Sequence, residues 1–383
     1  MNVEAEAQTC IRRTVIPDST SKRITALRFL LIVFVVFIHN NFTAESVAEA
    51  FEESGVLIVF NQSIFGKWVQ LFISQGIARS AVPLFFLFAA YLQAKKADRY
   101  GVLLKKRAKS LLVPYALWTA LYGFYSAGLK LLMLKVAPQL IQNPNNTALT
   151  WTAMDWVHKI FGYRLQPDGD FALPEFAYQF WFIRDLIILI VLSPLLRYLT
   201  KKFPVGFFAL VTMVLLVPLR VYFVSSQALF FYCAGLYWGI YDIPLLEKID
   251  SITWIESLAL FLLSFFVARL AYGGGGTMYW CAVLCACVCS LKLSAAIVAH
   301  KKTFAVAAYL AGFSFFLFAI HTPVLNDILR RCWLHLFPMT NGFFCLFEYF
   351  GVSLLTVALG TGVGIVFKRL CPKAFSLLIG GRS

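Results

Sequence analysis

The chain has 383 residues, of which 60% are hydrophobic and 14% are charged, and its mean hydropathy is +0.75. Soluble domains carry about 25% charged residues, so this composition excludes a soluble globular enzyme and indicates a polytopic membrane protein. The formal net charge of +15 would suit a nucleic-acid partner, but the placement of the basic residues along the chain argues against one.

Ten hydrophobic segments follow one another along the chain, and each is a candidate membrane-spanning helix. We predict an all-α bundle of about ten transmembrane helices, with a membrane domain over 23–368 between tails at 1–22 and 369–383. The ten segments cover residues 24–43, 77–94, 110–132, 179–199, 204–222, 226–241, 252–271, 277–299, 304–329 and 343–367.

The basic residues are divided unevenly between the two sides that these segments create. Of the 34 lysines and arginines, 22 fall in the tails and in the linkers on one side, ten lie on the other side and its rims, and Arg28 and Arg184 lie within segments. Because cytoplasmic loops are enriched in Lys and Arg, both termini are predicted to be cytoplasmic. The basic charge is therefore topological, and we predict no nucleic-acid partner. The nine cysteines lack metal-ligand spacing to a histidine, so no metal site is predicted.

Two ionisable residues bracket ten apolar ones inside the first segment. Arg28 and His39 are eleven residues apart, which on a helix places them on one face with about 16 Å between them along the axis. Ionisable residues in a membrane segment are costly and indicate a functional site. A non-functional interpretation stays open for each residue. His39 is then an interfacial histidine satisfied by water or a backbone carbonyl, and Arg28 is an arginine whose side chain reaches the lipid headgroups.

Further ionisable residues interrupt the later segments. Arg79 opens the second segment from its outer end, where it could serve only as an anchor at the rim. Arg184 and Asp185 open the fourth segment and point about 100° apart on a helix, so at least one is predicted to face the bundle interior. His321 precedes Pro323, which breaks the ninth segment and frees carbonyls that must be satisfied inside the protein. Such a histidine either faces a cavity or is structural.

The polar residues are predicted to lie at two levels of the bundle. Arg28 and the basic stretch 95–109 lie toward the cytoplasm. This distribution would link an anionic cytoplasmic donor to an outward-facing reaction centre. The residues assigned to the outer half or rim are His39, Arg79, Glu175, Arg184 and Asp185.

Several motifs occur in a fixed order between residues 23 and 368. The motifs are the Arg28-x10-His39 pattern, the run from Val82 to Tyr91, the sequence Trp181-Phe182-Ile183-Arg184-Asp185, and His321-Thr322-Pro323. In this order they resemble the membrane acyltransferase family 3, which includes O-acetyltransferases of bacterial surface polysaccharides and glucan succinyltransferases.

The resemblance implies that His39 is the catalytic histidine and Arg28 its motif partner. It also implies an acyl-CoA donor, usually acetyl-CoA, taken from the cytoplasm as a substrate, with no permanently bound cofactor, and a carbohydrate or lipid-linked glycan acceptor at a bacterial inner membrane. In our hypothesis His39 deprotonates a sugar hydroxyl, which attacks the thioester carbonyl, and an acyl-histidine intermediate is the less favoured variant. Arg28 guides the donor, while Arg79 or Arg184, next to Asp185, stabilises developing negative charge.

The remaining predicted contacts divide between donor and acceptor. CoA is polyanionic, so basic residues on the cytoplasmic side are expected to bind it beside Arg28, namely Lys105, Lys106 and Arg107. The residues expected to bind the acceptor are Asn40, Tyr91, Glu175, Trp181 and His321.

A transporter or flippase for a glycolipid or organic anion is the alternative from another functional class. Ten spans with interior charges suit such a protein as well. The lack of repeated halves and the presence of the Arg28-x10-His39 pattern argue against it.

Overall fold

The computed structural model of the protein describes residues 16–40, 63–96, 99–136, 150–162, 174, 176–217, 224–337 and 342–382. These residues are helical or form short connections, and they contain no strand. The all-α fold class predicted from the sequence is confirmed.

The described residues form two compact units. The first contains the described parts of 1–41, 63–105 and 189–311, and the second those of 42–62, 106–188 and 312–383. The helices are, in chain order, α1 Asp18–His39, α2 Ile64–Ser74, α3 Ala81–Ala94, α4 Tyr100–Arg107, α5 Val113–Val136, α6 Ala153–Phe161, α7 Trp181–Val191, α8 Ser193–Lys202, α9 Pro204–Leu216, α10 Ser226–Ile240, α11 Leu245–Ser251, α12 Trp254–Tyr272, α13 Gly276–Ala299, α14 Lys301–Ala311, α15 Ser314–Ile320, α16 Asn326–Leu336, α17 Gly342–Leu370 and α18 Pro372–Leu378.

Helical chain occupies each of the ten predicted segments, but ten spans are not confirmed. In the part of the chain that the structure describes, four helices are long and apolar enough to cross a membrane, and seven if each of three bent pairs forms one span. The bends measure 62° between α7 and α8, 103° between α10 and α11, and 52° between α14 and the helical run that follows it. A 13-residue helix such as α9 is about 20 Å long, shorter than a bilayer core of about 30 Å. The protein is thus a multi-pass membrane protein whose spans are often broken.

The first unit is held together where α3 and α10 pack closely. Gly235 and Gly239 lie one turn apart on α10, so both face α3. A Cβ at Gly235 would collide with the carbonyl of Leu87, and one at Gly239 would lie 2.6 Å from the Cβ of Ala94. Glycines at this spacing let two helix backbones approach, a common way for helices to associate in lipid.

A buried arginine joins three elements of the same unit. Arg23, on α1, is 6% exposed, and its guanidinium donates to both carboxylate oxygens of Asp250 at 2.6 and 3.0 Å. It also donates to the Ser294 hydroxyl at 2.9 Å and to the Leu291 carbonyl at 2.7 Å. The charge pattern predicts that Arg23 belongs to the basic N-terminal region on the cytoplasmic side, and the structure shows that it also links α1 to α11 and α13.

The C-terminal segment of the chain packs against the second unit. Phe375 of α18 and Ile379 just after it are fully buried, and the indole N–H of Trp118 donates to the Leu378 carbonyl at 3.0 Å. The stretch that the sequence analysis assigned to a tail at 369–383 therefore contains a docked helix at Pro372–Leu378.

Candidate functional site in the membrane helices

The predicted pair Arg28 and His39 lies on one continuous helix, α1. Ile32 and Val35 occupy the same face between the two residues and are 4% and 5% exposed. This face packs within the first unit, where α1 contacts α13, α14 and the turn at Ile77–Ser80. The shared helix and the shared face are confirmed, and the face is covered by protein between its two ionisable residues.

Arg28 differs from every neighbour on its helix. Of residues 23–40, all of which the structure describes, Arg28 alone is exposed. Its guanidinium has no hydrogen bond and no ion pair with any described residue. An arginine that is held on a packed helix yet keeps its five N–H donors available is suited to bind an anion or a carbonyl oxygen.

His39 is the last residue of α1, and the chain next to it is well fixed. Asn40 is fully buried, and its backbone N–H donates to the carbonyl of Val36 at 3.1 Å. The hydroxyl of Ser74, at the end of α2, donates to the carbonyl of Phe37 at 2.6 Å. His39 itself is half-buried. These contacts fix the backbone that carries the imidazole, while the ring keeps partial access to its surroundings.

Arg79 and Tyr91 occupy two different environments of the first unit. The half-buried Arg79 donates from Nε and Nη2 to the Gln75 side-chain carbonyl at 2.9 and 2.5 Å. It lies in the short turn Ile77–Ser80, which contacts α1. Tyr91 is 2% exposed and stacks on Trp238 with 3.8 Å between ring centroids. Catalysis by Arg79 and acceptor binding by Tyr91 remain predictions, and the packing of Tyr91 gives it a structural role.

The basic residues predicted to bind the donor lie on the helix α4. Lys105 and Lys106 are exposed and Arg107 is half-buried. Lys95, at the end of α3, is 6% exposed and forms an ion pair with Asp242. Lys105 and Lys106 therefore place their charges at the surface, whereas Lys95 is engaged within the first unit.

Arg184 and Asp185 form a buried pair in the second unit. They are 3% and 0% exposed, and the guanidinium donates to Asp185 Oδ1 at 3.2 Å from both Nε and Nη2. The expectation that at least one faces the interior is confirmed for both. Arg184 also donates to the Phe161 carbonyl at 2.8 Å.

The contact of Arg184 with Phe161 belongs to a set that secures the end of α6. The last carbonyls of a helix lack partners within the helix, so other groups must satisfy them. Here the Tyr115 hydroxyl donates to the Ile160 carbonyl at 2.6 Å, and the Phe176 N–H donates to the Lys159 carbonyl at 3.3 Å. The Arg184–Asp185 pair thus anchors α6 to its unit, and its predicted catalytic role stays a prediction.

His321 lies at the break that Pro323 introduces. It is fully buried, and its Nδ1 is 2.7 Å from the Phe318 carbonyl. The helix is interrupted at Thr322, whose φ and ψ of −143° and 157° are extended. Of the other predicted acceptor-binding residues, Trp181 is the half-buried first residue of α7. Glu175 lies outside the described residues.

Two side chains satisfy backbone carbonyls at this break, as the sequence argument required, and a third contacts a side chain there. Tyr122 donates to the Ala319 carbonyl at 2.7 Å, and Gln179 donates to the Thr322 carbonyl at 2.6 Å. The Tyr178 hydroxyl lies 2.5 Å from the Thr322 hydroxyl oxygen. A proline inside an apolar segment predicts that polar partners exist, but it does not identify Tyr122, Gln179 and Tyr178, which lie in distant parts of the sequence.

The predicted site residues thus fall into two groups, one in each unit. The first unit holds Arg28, His39, Asn40, Arg79, Tyr91 and Lys105. The second holds Lys106, Arg107, Trp181, Arg184, Asp185 and His321.

Comparison with known proteins identifies the chain. The acyltransferase family 3 model, described as an acyltransferase domain, matches residues 21–369. The chain belongs to this family. It is an acyltransferase that transfers groups other than aminoacyl groups. The chain is also similar to the succinoglycan biosynthesis protein ExoH of Rhizobium meliloti (strain 1021), with 24% identity over 391 residues that cover 95% of this chain and 93% of the relative. No solved structure matches the chain significantly.

Proposed function

We propose that this membrane acyltransferase moves an acyl group, preferentially acetyl, from cytoplasmic acyl-CoA to a hydroxyl of a surface or lipid-linked carbohydrate. The family match supports acyl transfer, and the name of the relative ExoH connects that protein with the synthesis of a polysaccharide. A bacterial inner membrane is the location that fits a cytoplasmic donor and a surface glycan. Succinyl is the alternative acyl group.

The proposal depends mainly on the exposure of the Arg28 guanidinium and on its lack of hydrogen bonds with the described residues. The exposed guanidinium has no hydrogen bond or ion pair among the described residues, although every other residue from 23 to 40 is buried or half-buried. CoA carries phosphates, and its pantetheine arm ends in a thioester carbonyl. A guanidinium can hold either group through charge-assisted or paired hydrogen bonds.

His39 acts as the general base in this proposal. The imidazole takes the proton from the acceptor hydroxyl as the hydroxyl oxygen forms a bond with the thioester carbonyl carbon. The carbon–sulfur bond then breaks, and the imidazolium returns the proton to the CoA thiolate. Products are the acyl ester of the carbohydrate and free CoA. His39 is half-buried, so its imidazole is partly accessible to a substrate, and hydrogen bonds fix the backbone next to it. A general base needs both access to the substrate and a fixed position.

The exposed basic residues of α4 are the second group that we expect to bind acyl-CoA. Lys105 and Lys106 present basic groups at the surface, and the distribution of Lys and Arg predicts that this part of the chain is cytoplasmic. We infer that they attract the CoA phosphates, an effect that added salt weakens.

The experiment is an assay of the purified protein in liposomes with radiolabelled acetyl-CoA or succinyl-CoA and a polysaccharide acceptor. Label in the polysaccharide, absent with His39→Ala, is the expected result, and the preferred donor names the acyl group. Movement of an unmodified solute without consumption of acyl-CoA would contradict the proposal and favour a transporter.

A further inference from the structure

The hairpin of α16 and α17 carries a carboxylate that the predicted site does not include. Glu348 lies six residues after the start of α17 and is 0% exposed. Its nearest charge is Arg330 on α16, whose Nε is 3.7 Å from Glu348 Oε1, too far for a hydrogen bond. The two residues form an ion pair in which the carboxylate has no direct donor.

Two side chains of this hairpin have buried hydrogen-bonding atoms without a partner among the described residues. Neither carboxylate oxygen of Glu348 accepts a hydrogen bond from any described residue. The buried indole N–H of Trp333 likewise donates to none of the described residues. A buried polar group without a partner is costly, and native structures keep few of them. Two hydrogen-bond acceptors and one hydrogen-bond donor of one helix hairpin are therefore available to a ligand.

The packing keeps these groups at one level of the hairpin. The Trp333 ring lies against Gly351, where a Cβ would collide with it, and 4.8 Å from the ring of Phe347. Glu348 and Gly351 are about 60° apart on one face of α17, and Arg330 and Trp333 have the same spacing on α16. The indole is thus held rigidly on the side of the hairpin where the ion pair lies.

The cluster of Glu348, Arg330 and Trp333 extends to the surface of the hairpin at the Arg330 end, while Arg330 Nε and both Glu348 oxygens are covered by protein. The Arg330 side chain is 23% exposed and Trp333 is partly exposed, whereas Glu348 lies beneath them. The break at Thr322 is close by, since Arg330 interacts electrostatically with the hydroxyl of Tyr178, which contacts Thr322.

The open groups match one kind of ligand. A hydroxyl can donate to a carboxylate and accept from an indole N–H, and a sugar presents several hydroxyls at fixed angles. The predicted topology places the start of α17 on the outer side, away from the cytoplasmic CoA pool.

We propose that Glu348, with Trp333 and Arg330, binds a hydroxyl-bearing ring of the carbohydrate acceptor. The inference rests on the proposed function and gives the acceptor its binding residues in the second unit. Glu348 accepts from one sugar hydroxyl, and Trp333 donates to a hydroxyl oxygen.

The test measures steady-state transfer in liposomes while acceptor and donor are varied separately. Glutamine in Glu348→Gln has the same shape as glutamate but lacks the carboxylate, which is the stronger hydrogen-bond acceptor. The KM for the carbohydrate acceptor should therefore rise about tenfold or more. The KM for acyl-CoA and the Tm should stay within error of the wild type. Equal acceptor KM values for variant and wild type would overturn the inference.

A second variant removes only the hydrogen-bond donor of Trp333, its indole N–H. Trp333→Phe keeps an aromatic ring against Gly351 and should raise the acceptor KM severalfold, while the exposed Trp254→Phe of the other unit should leave it unchanged. A rise in the KM of acyl-CoA instead of the acceptor would reject carbohydrate binding at this site.

A double variant separates binding from simple charge balance. If Glu348 only neutralised Arg330, Glu348→Gln with Arg330→Gln would restore the acceptor KM, and that result would overturn the inference. Continued weak acceptor binding supports it. Wild-type transfer is the reference: its absence contradicts the proposed function itself, whereas normal wild-type transfer with unaffected variants contradicts only this inference.

Discussion

Two arginines of the same helix, Arg23 and Arg28, should respond to substitution in opposite ways. They are five residues apart and therefore point about 140° away from each other. Arg23 is buried and makes four hydrogen bonds, whereas Arg28 is exposed and makes none with the described residues. Methionine, which has a similar length and no charge, is the substitution that isolates the guanidinium in both cases.

The expected magnitudes follow from the partners that each guanidinium has. Hydrogen bonds of charged groups contribute about 1.5 to 3 kcal/mol each, but Asp250 is 45% exposed and water replaces part of what it loses. The Leu291 carbonyl also keeps a donor, the Ser294 hydroxyl. We therefore expect Arg23→Met to cost about 3 kcal/mol of stability and Arg28→Met less than about 0.5 kcal/mol.

Activity should show the reverse order. Loss of one charge-assisted contact of Arg28 with the donor would raise the KM for acyl-CoA about 10- to 150-fold. Arg28→Lys should recover only part of this effect, because a point charge does not replace a planar fork. Folded Arg23→Met should keep the wild-type KM.

The assay combines thermal unfolding of the purified protein in detergent with donor titration in liposomes. A lower Tm for Arg23→Met and a higher donor KM for Arg28→Met are the expected pair of results. The reasoning fails if Arg28→Met unfolds as early as Arg23→Met, or if it binds the donor as tightly as the wild type.

Other substitutions test the catalytic and packing assignments. His39→Ala should abolish transfer while donor binding, measured by equilibrium dialysis, persists; normal turnover would reject the histidine as base. Arg184→Met should cost about 3 to 5 kcal/mol because it leaves the Asp185 charge buried, and an unchanged Tm would contradict the anchoring role. Gly351→Ala should cost about 1 to 3 kcal/mol because the new methyl group collides with an indole ring. Gly362→Ala, in open space on the same helix, should instead stabilise the protein by about 0.5 to 1 kcal/mol, and equal Tm shifts for the two glycine variants would refute the packing argument.

Composition and periodicity were sufficient for the fold class and for the main feature of the site. A chain that is 60% hydrophobic can satisfy its backbone in a membrane only by forming helices or a closed barrel, and its long apolar segments indicate helices. The shared face of Arg28 and His39 follows from helix geometry alone, because both lie in one unbroken helix. Pro323 likewise predicted that buried polar partners must exist near it.

Only the tertiary structure decided which polar residues are already engaged. Asp250 and Ser294 are 227 and 271 residues away from Arg23, so no local pattern could separate this buried arginine from the exposed Arg28. The same holds for Arg184, whose contact with Phe161 depends on how α6 docks. The number of spans also depends on the bends between helices. Side-chain partners that come from distant segments are set by packing, which the order of residues specifies only through the complete fold.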